Sequence, residues 1–303
     1  MPGYKLYMDL LTFAEFMEVH VSSYILRIAC PDQVGIVAAV SNYLANNLCN
    51  IQDSAQFGDP YSKQFFMRVH FETTDKAHSR DDLRRSFADV AMRFNMNWRL
   101  EDFQKKARLL LMVSRHGHCL NDLLYRCTNN ILNAEVKAIV SNHCEFEELA
   151  GNHSIPYYYL PVNSENKLQQ EEQIIKLATG LEVDLLVLAR YMQVLSPEFC
   201  ARFKDRIINI HHSFLPGFKG ARPYHQAYER GVKIIGATAH FVTESLDEGP
   251  IIEQEIERVD HSHNPDELAS MGRDLESLTL AKAVRYYVEQ RILLNGNKTV
   301  VFK

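Results

Sequence analysis

The chain reads as two α/β units in series: a small ferredoxin-like β-α-β-β-α-β domain, then a doubly wound, mostly parallel sheet. Three observations predict this. Residues 24–104 alternate strand and helix patterns at the size of a small domain. A polar joint follows, Asp102-Phe103-Gln104-Lys105-Lys106. Beyond it, apolar strand runs alternate regularly with helical periodicity.

In the first unit, residues 24–30 (YILRIAC) form a strand and Pro31–Gln33 a turn. The next residues, 34–49, carry a helical apolar stripe. Strands at 50–59 and 63–73 flank the Asp59-Pro60 turn signal, a helix covers Asp81–Asn95, and Asn97–Glu101 supplies the last strand. In the second unit the strands are 107–114, 136–142, 156–162, 183–189 and 206–212. Helices fall between them, from Asn121 and over 145–150, 167–179 and 197–203. Residues 183–189 (VDLLVLA) are largely apolar on both faces, as burial between two helical layers requires. Residues 234–242 and 250–259 extend the sheet in antiparallel fashion, and a final amphipathic helix runs from Pro265 to Leu293. The expected boundaries are an extension of no assigned role at 1–23, a first domain at 24–104 and a second at 105–303.

Of the 303 residues, 46% are hydrophobic and 23% charged, enough apolar material for two packed cores and incompatible with disorder. No window approaches the ~18 apolar residues of a membrane span. The best run, Leu181–Leu195, is broken by Glu182, Asp184 and Arg190. With 33 basic against 38 acidic residues, the net charge of −5 lacks the electrostatic footprint of a nucleic-acid binder, so a small-molecule partner is expected. The six cysteines are scattered without a C-x-x-C pair, which points to reduced thiols and a cytoplasmic protein. Residues 1–19 lack the basic start and cleavage site of a signal peptide.

In a doubly wound sheet, ligands bind beyond the carboxyl ends of the strands. At the end of strand 206–212, Asn209 and His211 are two apart and share one face, with His212 expected on the other. The chain then turns through Ser213–Gly217, leaving the pair at an open rim. An amide that donates to an oxyanion beside an imidazole that moves a proton is equipment for acyl transfer. Asp247, in the loop TESLDEGPI between Glu244 and Glu248, supplies a carboxylate to orient the imidazole or a water. Taken singly, each has an ordinary alternative as a turn former or surface residue; it is their convergence that points to catalysis. Asp260, His261 and His263 form a polar loop without metal-ligand spacing, so no metal or other cofactor is expected.

The stretch NIHHSFLPGFKGARPYHQAYERGVKIIGATAHFVTESLDEGPII, residues 209–252, resembles the signature of folate-dependent formyltransferases and their hydrolytic relatives. Its HHSFLP form is closer to the formyltetrahydrofolate deformylases than to the glycinamide ribonucleotide formyltransferases, which typically show HPSLLP. Upstream, CPDQVGIVAAVSNYLANNLCNI resembles an ACT domain, the amino-acid-sensing module that precedes a Rossmann-like formyltransferase domain in the deformylases. The resemblance implies Asn209, His211 and Asp247 as catalytic residues. It also implies folate contacts from Met192, Gln193, Val194 and Leu195, after Tyr191, and from Thr243 and Glu244. Gln193 stands where the family usually has Arg, so only backbone contacts carry over there. The implied reaction is hydrolysis of 10-formyltetrahydrofolate, the substrate itself, to formate and tetrahydrofolate, supplying formate for purine biosynthesis and balancing one-carbon pools. Methionine or glycine is the implied effector. The turn after the first strand offers backbone N–H groups to a carboxylate, which places that effector near Asp32, Gly35 and Asn50. A homo-oligomer, dimer or tetramer, is implied too, and a purely structural pairing role for the first domain is the alternative.

A physical argument also favours hydrolase over transferase. A ribonucleotide phosphate needs a Gly-rich turn after the first strand of the second unit, yet residues 114–119 read Ser-Arg-His-Gly-His-Cys. Two other functions remain open on the same residues: formyl transfer to an amine, and a non-catalytic amino-acid sensor.

Overall fold

The computed structural model describes residues 22–74, 79–217 and 223–303. The expected extension falls almost wholly outside the described residues. Four antiparallel strands, β1 (Ser23–Pro31), β2 (Cys49–Asp59), β3 (Gln64–Thr73) and β4 (Asn97–Asp102), lie in the order β2-β3-β1-β4. Helices α1 (Ile36–Asn46) and α2 (Arg80–Arg93) complete the ferredoxin-like order. Strand alternation sets the packing: Tyr24, Leu26 and Ile28 join Phe65, Met67, Val69 and Phe71 in one core with the helices. The sequence pattern placed α1 at 34–49. It is shorter because Gly35 is left-handed at φ 97°, and at the other end Leu48 is left-handed at φ 55° and turns the chain so that Cys49 begins β2.

The second unit contains strands β5 (Ala107–Val113), β6 (Ala134–Ser141), β7 (Tyr157–Tyr159), β8 (Leu185–Leu188), β9 (Ile207–His211), β10 (Ile234–Phe241) and β11 (Ile251–Arg258). Their order, β11-β10-β9-β8-β5-β6-β7, has β5 to β9 parallel and β10 and β11 antiparallel, as the pattern indicated. Helices α3 (His118–Thr128), α4 (Glu147–Asn152), α5 (Lys167–Gly180), α6 (Pro197–Arg202), α7 (Pro223–Glu229) and α8 (Pro265–Val288) connect or cover the strands. Helix α3 starts three residues before the expected Asn121, and β7 keeps only three residues of the expected 156–162.

Each face of the sheet has its own core. Leu109, Leu111 and Val113 pack with residues of α3 and α8, whereas Leu110 and Met112 pack with Ile174 of α5 and Phe199 of α6. In β9, Ile208 and Ile210 enter the first core and Ile207 the second. Along that second face the apolar row ends after Ile207, and Asn209 and His211 take the next two places.

The expected helix from Pro265 to Leu293 is a correction. Helix α8 ends at Val288, Gln290 is left-handed at φ 57°, and a hairpin follows, β12 (Ile292–Asn295) and β13 (Lys298–Val301). Asn295-Gly296-Asn297 is a hairpin signal, with Gly296 at φ 60°, that the apolar residues around Ile292 masked. The hairpin returns to the first sheet: Leu293 and Phe302 are buried against Phe66, and the guanidinium of Arg68 donates to the Glu289 carbonyl. Leu293→Ala is therefore expected to destabilise the protein by about 2–4 kcal/mol. Urea denaturation checks this; an unchanged midpoint would mean that the hairpin contributes nothing to the domain junction.

Candidate active site

The antiparallel register of β9 and β10 sets Asn209 opposite His240 and His211 opposite Thr238, with all four side chains on one face. His240 is buried and its Nδ1 donates to the Phe241 carbonyl at 2.8 Å. In the neutral ring that bond leaves Nε2 as an acceptor, and the Asn209 amide Nδ2 donates to it at 3.3 Å. The amide is thereby held in one orientation, with its second N–H directed elsewhere.

Asp247 arrives from the loop between β10 and β11. Its Oδ2 lies 3.3 Å from His211 Nδ1 and its Oδ1 lies 3.7 Å from His240 Nε2. Two backbone features make that approach possible. Asp247 is left-handed at φ 58°, and Gly249 lies so close to β10 that a Cβ there would be 1.7 Å from the Phe241 carbonyl oxygen. The hydrogen bond from His211 comes first among the causes that hold the Asp247 carboxyl well below the usual carboxylate range, although burial alone would raise it. With Asp247 accepting from Nδ1, the other ring nitrogen of His211, Nε2, is buried and has no hydrogen-bond partner among the described residues. Asp247, 36 residues beyond His211 in the chain, is thus brought to the pair Asn209 and His211 on β9.

His212 requires a correction. Strand alternation put it on the opposite face, but β9 ends at His211, and the two rings stack with centroids 5.0 Å apart. Burial, then the charges of Arg190 and His211, push the His212 imidazole down to about 4, so this neighbour is neutral at physiological pH.

The segment after β8 borders Asn209, because Leu188 pairs with Asn209 in parallel register. Tyr191 and Leu195 are its buried anchors. The Tyr191 hydroxyl donates to Gln170, and the Met192 N–H donates to Ser114 Oγ at 3.0 Å. Between the anchors Met192 and Val194 are exposed and Gln193 half-buried. Of the loop residues, Thr243 donates to the Ser245 carbonyl and Glu244 is exposed. In the first domain Asp32, Gly35 and Asn50 are exposed. The Asp32 N–H, expected to be free, donates to the Lys63 carbonyl. The structure does not unite these three: Asp32 faces Gly58 at one end of β2 and Asn50 lies eight residues away, about 26 Å by strand rise.

A second buried cluster escaped the sequence reading. Glu276 of α8 accepts from the Tyr224 hydroxyl at 2.8 Å, lies 2.7 Å from His118 Nε2 and forms an ion pair with Arg190 at 3.4 Å. Burial would raise the Glu276 carboxyl, but the His118 hydrogen bond and the Arg190 charge outweigh it and hold the group ionised. His118, Cys119 and Glu276 could geometrically surround a cation, but the adjacent Arg190 guanidinium opposes one. At the start of α3 the Phe146 ring covers Gly117, where a Cβ would be 2.4 Å from it. No residue spacing links Glu276 to His118, and His240 becomes a partner of Asn209 only through the β9–β10 register.

Together the sheet order and the Asn-His-Asp convergence define a domain of formyl transferase type. Residues 107–284 match the family described as formyl transferase. The formyltetrahydrofolate deformylase of Bacillus subtilis is 45% identical over 278 residues, 91% of this chain and 93% of that protein. The structure of a formyltetrahydrofolate deformylase from Pseudomonas syringae is 43% identical with a TM-score of 0.91, covering 98% of both chains. A glycinamide ribonucleotide transformylase from Symbiobacterium toebii, 27% identical with a TM-score of 0.62, covers 66% of this chain and 95% of its own. The chain belongs to the formyltetrahydrofolate deformylase family.

Because Asp247 ionises more readily in the folded protein, its contribution to stability is complete above the ordinary carboxylate pKa of about 4 and is lost as pH falls through its lower folded value. The gap in urea midpoint between the protein and Asp247→Asn should not shrink between pH 8 and 5, and should narrow only below about pH 4. A gap that closes by pH 5 would contradict the assigned ion pair. Gly249→Ala is expected to lower turnover by roughly 100-fold by displacing the loop, with the circular dichroism spectrum unchanged.

Proposed function

We propose that the protein hydrolyses 10-formyltetrahydrofolate to formate and tetrahydrofolate with Asn209, His211 and Asp247 as its catalytic residues. The observation that carries this is His211 Nε2, a buried nitrogen without a hydrogen-bond partner among the described residues and made available because Nδ1 faces Asp247. Water adds to the formyl carbon as His211 Nε2 takes its proton, and the free N–H of Asn209 donates to the resulting oxyanion. His211 then returns the proton to N10, the C–N bond breaks, and formate leaves. Asp247 keeps the imidazole in the productive tautomer and stabilises its protonated form. Side chains fill each role, so the scheme calls on no metal or other cofactor.

Met192 and Val194 offer apolar surface for the pterin, with backbone contacts from Gln193 and Leu195; Thr243 and Glu244 line the other side. The side chains packed around Glu276, and Phe146 over the start of α3, occupy the region where a phosphorylated amine acceptor would lie. This supports water as the acceptor. The first domain would act as an ACT-type module spanning 24–104 and the second, 105–303, as the catalytic domain. Methionine or glycine would bind only where two copies bring Asp32 and Gly35 of one chain near Asn50 of another, in a dimer or tetramer. Among the described residues no helix is long and apolar enough to cross a membrane, in keeping with a cytoplasmic role in purine and one-carbon metabolism.

Formate release from 10-formyltetrahydrofolate without added amine tests the reading, and Asn209→Ala should lower its turnover by roughly 100-fold to 1000-fold. Release that depends on an amine would indicate a transferase, and no release under any effector condition would leave a sensor.

A further inference from the structure

The face of the first sheet turned away from α1 and α2 carries an unusual row of charge. In the pairing of β1 with its neighbours, Arg27 lies directly opposite Arg68 of β3 and Arg99 of β4. Like charges set opposite one another across strands are destabilising, so each guanidinium needs a counter-group. Arg68 has one: it donates to Asp53 at 2.9 Å and to the Glu289 carbonyl. Arg27 does not. Its Nη1 donates to the Ile292 carbonyl at 2.9 Å, its Nε is buried without a partner, and no carboxylate lies within ion-pair distance among the described residues. Burial and the neighbouring Arg99 pull its pKa down to about 10. A cation this desolvated ordinarily has a partner.

Beside this row a cleft of about 630 Å³ opens between the two domains. Its basic lining is Arg27, Arg99, Lys105, Lys106, Lys204 and Arg206, against Glu101, Asp102, Asp184 and Asp205. Two of these carboxylates are engaged outside the cleft, Asp184 by Arg108 and Glu101 by Arg80. Arg206 is turned onto the neutral carbonyls of Val183 and Asp184 and over the Phe203 ring, with no carboxylate within ion-pair distance among the described residues. The cleft is thus a concave surface with surplus positive charge and a buried, under-satisfied guanidinium.

We propose that this cleft binds a small multivalent anion, a compound bearing phosphate or several carboxylates, which supplies the counter-charge that Arg27 lacks. The site is distinct from the folate site. Asp184 and Arg206 precede β8 and β9, so the cleft lies at the amino ends of those strands, whereas Met192–Leu195 follow β8 at its carboxyl end. A physical route joins the two. Phe241 and Tyr287 line the cleft with their rings edge to face at 6.4 Å, and the Phe241 carbonyl is the acceptor that fixes His240. Occupancy of the cleft therefore bears on the residue that orients Asn209.

The test uses the full chain with inorganic phosphate and with citrate, each against sodium chloride at equal ionic strength. Thermal denaturation at a saturating concentration of at least one of the two anions is expected to rise by about 2–4 °C over the chloride control. Which anion acts separates a phosphate ligand from a polycarboxylate. Arg99 and Lys105 are exposed at the rim, so the double variant R99Q/K105Q should fold and should weaken calorimetric binding about 10-fold or more. Absence of a shift with either anion, or a response that survives in the double variant, would overturn the proposal.

Discussion

The antiparallel pairing of β10 with β9 is the constraint on which the site depends. It converts two neighbours on one strand, Asn209 and His211, into part of a four-residue surface by adding His240 and Thr238 from the next. It also fixes where the following loop must cross. Only because Gly249 has no side chain can the chain press against the Phe241 carbonyl and deliver Asp247 beside His211. A shift of one residue in that register would turn His240 to the other face, leaving the Asn209 amide without its acceptor.

The electrostatics of the site follow from the same arrangement. Asp247 is kept ionised by its hydrogen-bonded histidine, and the stacked His212 is kept neutral by burial and by Arg190. One imidazole is thus paired with a fixed negative charge and is spared a second positive charge at its face. Near His212, Glu276 accepts from Tyr224, meets His118 and pairs with Arg190 in a polar knot, in which Nε and Nη1 of Arg190 have no hydrogen-bond partner among the described residues.

The two domains are joined less by the polar linker than by the end of the chain. Leu293 and Phe302 seal against Phe66, and main-chain carbonyls at Glu289 and Ile292 receive Arg68 and Arg27. An arginine row that would be costly in an isolated sheet becomes the means by which that sheet is docked. The boundary drawn from the linker at 102–106 records where the pattern changes, while the junction itself is built from residues nearly two hundred positions later.

Local chemistry made much of this legible in the amino-acid order. The alternation of 24–104, the apolar strand at 183–189 and the Asn209, His211 and Asp247 motifs report directly on backbone period and side-chain type. Three-dimensional pairing decided the rest. His240 has meaning only opposite Asn209, Glu276 only against His118, Arg27 only between Arg68 and Arg99, and the hairpin after Val288 only against the first sheet. The physical reason is common to all four. Periodicity encodes which way a residue faces along its own strand or helix, whereas a hydrogen bond or an ion pair also needs the register and approach of a second element, and distance along the chain carries no record of either.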